Sequence, residues 1–459
     1  MNTQHQKQVA QSPTLRLAWV GSALLTYCLA GWPLDLLQAY DAAQRNDPAI
    51  KTSRASADAG RERLPQARAQ LLPSVSLSAT RNKNELERNN IATGADLPLQ
   101  SYLSGTANLA ARQPLYRPAL TAGYRQAAAQ VDDVNASLQR EEQNLAVRLA
   151  GAYLDAIATG DQLSLVIAQR IFYTTQLDAA RKSFAAGAGI RTDVDEVLAR
   201  LDLIKANELE AQQNVGYARR QLQSLVGEPV TQVAELNPSR LVLALPDPDS
   251  PESWIERAEQ SSPEMRMLKA RLEAADQAIK KAQAGHYPTL DGVLQWSYGD
   301  QENINLLNSR SKTTSIGLQL SVPLYAGGYV SSTVRQAVAE RASAEQNLEA
   351  LRLDLGVRVH KEYRGITEGI LKIRALEQAV RSADQLVLSN QKSFAAGSRT
   401  VVDILNAEQQ RTVALRDLAQ ARYLYLMSRV KLMALVDGIN PQWMAEMNAP
   451  FGDPTPKIN

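Results

Sequence analysis

The hexapeptide Lys182-Ser183-Phe184-Ala185-Ala186-Gly187 occurs again as Lys392-Ser393-Phe394-Ala395-Ala396-Gly397, 210 residues further on. At the same offset Asp193 matches Asp403 and Val194 matches Ile404. Arg219, Leu222, Leu225 and Val226 likewise match Arg429, Leu432, Leu435 and Val436. Upstream, Pro48 and Pro73 correspond to Pro263 and Pro288, and Pro114-Leu115-Tyr116 to Pro323-Leu324-Tyr325. One short identity arises by chance; a set of landmarks kept in order around it does not. The chain is therefore read as two copies of one unit, and such internal repeats fix an architecture.

Each copy contains an unusual helix. Pro118 stands where a helix can begin, and no proline follows before Ala186. At 1.5 Å per residue that stretch is a helix of roughly 100 Å. The second copy runs proline-free from Gly328 to Ala396. Val131, Leu138, Leu145 and Ala152 recur at sevens, as do Leu149, Ala156 and Leu163. Heptads rich in alanine predict close helix-on-helix packing. The partners are the returning helices, Thr192 to Val226 and Thr400 to Val436.

Before each long helix comes alternation of period two. Val75, Leu77 and Ala79 oppose Ser74, Ser76, Ser78 and Thr80. In 103–111, 290–298 and 314–322 an apolar face again opposes a small polar one. This pattern predicts four half-buried strands in two hairpins. A membrane barrel would turn the apolar face to lipid, and a soluble sandwich would turn it to a core. The polar, Asn-rich stretches 81–101 and 299–312 are expected to be long exposed loops. The first unit is thus 31–227: a helix, a β-hairpin over 73–114, the long helix 118–186, a tip turn 187–193 and a return helix. A proline-rich connector, 228–262, leads to the second unit, 263–438. That unit has its hairpin over 288–323, its long helix over 328–396 and its tip turn over 397–403. Residues 439–459 form a tail.

Composition narrows the function. Of 459 residues 44% are hydrophobic and 5% aromatic, with 50 Lys and Arg against 48 Asp and Glu and a single Cys. No internal disulfide can form, and a charge this close to zero excludes a general case for nucleic-acid binding. Lys7 and Arg16 precede the apolar run 17–30, which ends in Cys28-Leu29-Ala30. That order describes a secretory signal peptide over 1–30. Cys28 raises lipid modification as the alternative, against which stands the bulk of Tyr27. Removing 1–30 leaves no Cys and 48 bases against 48 acids. His5, His286 and His360 are isolated, and the sequence holds no metal-ligand cluster, phosphate-binding loop or nucleophile motif. The reading is a non-enzyme with no cofactor.

Export, four alternating strands, two very long helices and a duplication meet in one solution. Four strands cannot close a barrel, and open edges are not tolerated in lipid, so several chains must share one. The chain resembles the TolC family of trimeric outer-membrane channels. The resemblance covers 34–438. It is carried by Leu71-Leu72-Pro73, the two Pro-Leu-Tyr motifs, the Phe-x-x-Gly-x5-Asp turns at 184–193 and 394–403, and the run from Gly397 to Ala407. It implies a mainly α protein with a membrane β-barrel part. In the homotrimer the strands form one twelve-stranded barrel in outer-membrane lipid, and the helices form a tunnel in the periplasm. It also implies a periplasmic adaptor and an inner-membrane transporter, an ABC transporter or an RND pump. The stretches Asn46-Asp47-Pro48 and Gln66-Ala67-Arg68-Ala69 look most like members serving type I protein secretion. Multidrug efflux is the alternative function, and a periplasmic coiled-coil adaptor the alternative class.

The resemblance also assigns a gate at the helical tip. Thr192, Asp193, Phe394 and Arg399 match the group that ties the coils closed, and Asp403 and Asn406 match an acidic ring at the entrance. Phe394 stands where the family pattern has a Tyr, and Asn406 where it has a second Asp. The polar latch therefore falls to Arg399 with Asp193 and Thr192, and cation block to a ring of Asp403 alone. From local chemistry, Gly187, Gly189 and Gly397 are expected at positive φ in the tip turns, where the resemblance implies that the adaptor docks. Thr192 and Thr400 are expected as helix caps.

Overall fold

Three short helices, α1 (Leu36–Asn46), α2 (Pro48–Arg61) and α3 (Arg63–Ala69), precede a hairpin of β1 (Ser74–Asn90) and β2 (Ala95–Tyr116). The long helix α4 (Pro118–Ala185) then turns back into α5 (Arg191–Val226). The second copy follows as α6 (Pro251–Ser261), α7 (Pro263–Gln283), β3 (Thr289–Gln301), β4 (Ser309–Ser321), α8 (Tyr329–Ala395) and α9 (Val401–Leu435). After it comes α10 (Pro441–Asn448). This computed structural model describes residues 33–302 and 308–451, so the signal peptide read at 1–30 lies outside the described residues. Among those residues no helix is long and apolar enough to cross a membrane.

Helices α4 and α8 have 68 and 67 residues, about 100 Å each. Neither could bury a face alone, and each changes partner along its length. On the strand side α7 lies between them, tied to α4 by Arg271–Asp133 at 3.0 Å and to α8 by Arg341–Asp276 at 3.1 Å. Toward the far end α4 packs on α5 and α8 on α9. There Arg170–Glu208 and Arg411–Asp384, both 2.6 Å, cross the two hairpins. Alanine on α4 permits the close approach: Ala127, Ala136, Ala146 and Ala150 are buried. Midway the helices share one core, in which Leu145, Leu149, Tyr153, Leu355, Ile373 and Leu426 are almost fully enclosed.

The connector read over 228–262 is built into that core. Its last third is α6, and Val233 and Leu236 form bridges to Leu34 and Phe451. Two buried tyrosines hold the belt from inside. Tyr153 donates to Leu34 O at 3.1 Å and Ala234 O at 3.4 Å, and the Tyr425 hydroxyl accepts from Ala244 N at 3.0 Å. The tail likewise contributes α10, whose Met444 and Met447 are buried. Proline-rich composition hid these segments, because their order comes from side chains elsewhere in the chain.

The four strands form one antiparallel meander, β1-β2-β3-β4. They are longer than the alternation indicated. Of the stretches expected as loops, 81–101 is mostly strand, with β1 reaching Asn90 and β2 resuming at Ala95, and at the described ends of 299–312 β3 runs to Gln301 and β4 starts at Ser309. Beyond Ala79 β1 turns polar on both faces as far as Glu85, so its period two disappears while backbone pairing continues. Side-chain bonds Thr80–Thr106 at 2.7 Å and Asn84–Ser104 at 2.8 Å help to carry it. The register aligns Leu77, Leu109 and Trp296, and one row further Ala79, Ala107 and Tyr298. In the next row Asp300 binds Arg81 at 3.4 Å and Arg310 at 3.5 Å. An apolar face bounded by aromatics and then by charge is the lipid-facing pattern of a membrane barrel. Ile316 on this face is 85% exposed in the single chain.

Strands and helices meet at one buried carboxylate. Asp291 on β3 accepts from Arg112 at 2.5 and 3.1 Å, and from Arg117 at 2.5 and 2.7 Å. Its side chain is 2% exposed. Arg112 lies near the end of β2 and Arg117 caps α4, so one residue fixes the turn from sheet to helix.

Candidate functional site

Both hairpins end in the same turn. Gly187 N bonds Phe184 O and Ala188 N bonds Ser183 O, each at 3.0 Å. In the second copy Gly397 N and Ser398 N bond Phe394 O and Ser393 O, each at 2.9 Å. This paired closure needs a left-handed residue after the last turn. Gly187 and Gly397 supply it, at φ +72° and +75°. Gly189 does not have positive φ; a Cβ there would lie 3.0 Å from Ser183 Oγ and 3.1 Å from Phe184 N. It is small because the turn folds over the end of α4.

The following helices start differently. α9 has a full capping box: Asp403 N donates to Thr400 Oγ1 at 3.3 Å, and Thr400 N donates to Asp403 Oδ2 at 2.9 Å. α5 has none. Its cap position is Ile190, and Thr192, expected as a cap, is an exposed residue inside the first turn. Ile190 has no side-chain oxygen, so the first amide groups of α5 lack a side-chain acceptor. Asp193, in the first turn, still lies near the positive end of the helix dipole.

Within one chain the expected latch residues do not meet. Arg399 Nη1 reaches Asp403 Oδ1 on its own helix, at 3.4 Å, and no contact joins it to Thr192 or Asp193. The Asp193 carboxylate forms no hydrogen bond or ion pair among the described residues, although its backbone N–H donates to Ile190 O at 3.3 Å. Phe394 is 43% exposed and its repeat mate Phe184 47%. Asp403 is the best-held of the set. The Thr400 backbone N–H, then the Thr400 hydroxyl, then Arg399 hold its carboxyl below the usual range. Asn390 Nδ2 also donates to its backbone carbonyl at 3.1 Å.

Asn406 is the one expected residue that the structure joins across hairpins. Its Oδ1 accepts from Arg200 Nη2 at 3.0 Å, while Arg200 Nε donates to Glu196 Oε1 at 2.8 Å. Sequence reasoning missed Arg200. The available signal was the repeat itself, since Glu196 and Asn406 stand 210 residues apart. Beside this contact Tyr173, Leu177, Val197, Leu201 and Ile204 of the first hairpin pack with Val401 and Leu405 of α9. Gln169 Nε2 donates to Gln409 Oε1 at 3.2 Å. One return helix of the second hairpin is thus already bound to the first hairpin near the tip.

The likeness to known proteins runs through both copies of the unit. The family described as outer membrane efflux protein matches residues 39–228 and 254–438, one stretch per copy. The alkaline protease secretion protein AprF of Pseudomonas aeruginosa is 32% identical over 420 residues, covering 91% of this chain and 87% of AprF. The outer membrane protein TolC of Vibrio cholerae is 30% identical over 438 residues, covering 94% and 97% of the two chains. Among solved structures, the outer membrane protein VceC of Vibrio cholerae superposes with a TM-score of 0.76 at 19% identity. The match covers 88% of this chain and 96% of VceC.

Proposed function

The chain belongs to the outer membrane efflux protein family, and from that premise we propose that its cargo is a secreted protein. Membership makes it an outer-membrane exit duct, with its strands in a barrel shared by three chains and its helices in a periplasmic tunnel. Channels of this family act with an adaptor and an inner-membrane transporter. An adaptor identity falls away, because the family match spans both copies of the unit. The observation that carries the secretion reading is the likeness to a protein named for alkaline protease secretion over nine-tenths of this chain. On this reading an ABC transporter and its adaptor deliver the cargo to the helical tip. The measurement is the culture supernatant of a strain lacking the gene. Loss of one secreted protein, with drug susceptibility unchanged, is the expected result. Raised drug susceptibility with an unchanged supernatant would assign multidrug efflux, handled by an RND pump.

The tip turns are the proposed gate and adaptor-docking surface. Gly187, Gly189 and Gly397 shape the ends that an adaptor would grip. Thr192, Asp193, Phe394 and Arg399 close the coils, with Asp403 and Asn406 at the entrance. Because Arg399 finds neither Thr192 nor Asp193 within its own chain, the latch would form between neighbouring subunits. An exposed ion pair contributes only about 0–1 kcal/mol, so threefold repetition is what makes the closed state hold. Arg399→Ser should raise the single-channel conductance of the purified trimer in a planar bilayer. Wild-type conductance in that variant would remove Arg399 from the gate.

A further inference from the structure

We propose that Arg200 fastens the two hairpins of each subunit together at the tip. The inference rests on reading the tip as the gate. Arg200 is the tenth residue of α5, and its guanidinium leaves its own helix to meet Asn406 of α9 at 3.0 Å. The same guanidinium holds Glu196, one turn earlier, at 2.8 Å. Positions 196 and 406 are equivalent in the two copies, so a single cation is shared by the two repeat mates.

The surroundings favour a lasting contact. The Arg200 side chain is 26% exposed, and the adjoining cluster of Tyr173, Val197, Leu201, Val401 and Leu405 is buried. A cationic donor on a neutral amide is a charge-assisted hydrogen bond, stronger than a neutral pair and directional. Opening the tip by moving one hairpin against the other must break it, once per subunit. An aspartate at 406 would convert the contact into an ion pair. The amide gives a weaker tie, one that an arriving adaptor can release, and leaves the entrance without a second ring of carboxylates.

The test uses purified trimers of the full chain in planar bilayers, with assembly checked by unheated gel migration. Arg200→Gln and Asn406→Ala should each raise the probability of the open level. A tie of ordinary charge-assisted strength corresponds to about tenfold in the closed-to-open ratio for each subunit that must release it. The double variant should open no more than either single one. Asn406→Asp should do the opposite at low salt, and its extra closure should vanish near molar salt, because ion pairs are screened there. A role in folding alone would not produce that salt dependence. Wild-type gating in both Arg200→Gln and Asn406→Ala overturns the proposal. So does a response of Arg200→Gln with none in either Asn406 variant, since Glu196 alone would then explain it. If Arg399→Ser leaves conductance unchanged while the Arg200 series responds, the latch at Arg399 fails and the tie stands.

Discussion

Asp291 shows how one residue can decide the join between two structural classes. Its carboxylate is enclosed and receives four hydrogen bonds from two guanidinium groups. Removing it strips two guanidinium groups of their shared acceptor, and because both keep access to water the cost is about 1–3 kcal/mol for each lost partner. Asp291→Ala should therefore lower the thermal midpoint of the detergent-solubilised trimer strongly. Arg112→Ala should cost less, because Arg117 remains and Arg112 is about half exposed. Equal midpoints for Asp291→Ala and the parent protein would show that backbone pairing alone sets the junction. The sequence could not announce this residue, since Asp291 reads as one more polar position on an alternating strand. The same limit hid Arg200: its partner lies 206 residues away, and only the folded hairpins bring the two together. Residues whose roles are local were legible. Gly187, Gly397 and the Thr400 cap follow from chain geometry within one turn. Where local chemistry was overruled, at Thr192 and Gly189, the neighbouring turn supplied the reason.

At the scale of elements, periodicity carried the helices. A proline-free run with heptad alanines has few alternatives to a long packed helix, and α4 and α8 begin and end within a residue or two of the expected bounds. The strands were legible only where one face was apolar and the other hydroxylic. The outer ends of β1, β3 and β4 were lost because they are polar on both faces, and that of β2 because Pro98 and its polar neighbours read as loop. The connector was lost for another reason: it has no pattern of its own and borrows order from Tyr153 and Tyr425. This dependence is open to test. Tyr153→Phe keeps the ring against Phe451, now 5.2 Å away and edge-on, but removes the hydroxyl's bonds to Ala234 O of the belt and to Leu34 O, which the belt bridges through Val233. A net loss of about 0.5–1.5 kcal/mol per bond is the expected scale. The belt should become a site of limited proteolysis within 228–250 before the helices melt. If cleavage there matches the parent protein, packing holds the belt and the hydroxyl does not.

For the whole molecule, the single chain is an unfinished object. The sheet ends in two unpaired edges, β1 and β4, and edges in lipid must be paired. The 100 Å helices leave apolar side chains such as Leu353, Val357 and Leu371 exposed. Assembly into one barrel and one tunnel answers both demands, and it places three copies of Asp403 around an axis. Two effects then compete on that carboxyl. Like charges raise its pKa, whereas the cap in each chain lowers it, chiefly through the Thr400 backbone N–H. A ring that stays ionised at neutral pH should attract divalent cations into the entrance. Asp403→Ala should abolish block of ion flow by added divalent cations. Block of the parent channel should fade as pH falls through the carboxylate range. Thr400→Ala removes the hydroxyl that stabilises the anion, so its block should be lost at a higher pH than in the parent channel. If Asp403→Ala is blocked as readily as the parent, the carboxylate serves only to cap α9. If Thr400→Ala leaves the pH midpoint in place, the hydroxyl has no part in keeping Asp403 charged, and the backbone N–H of residue 400 with Arg399 carries the cap's effect.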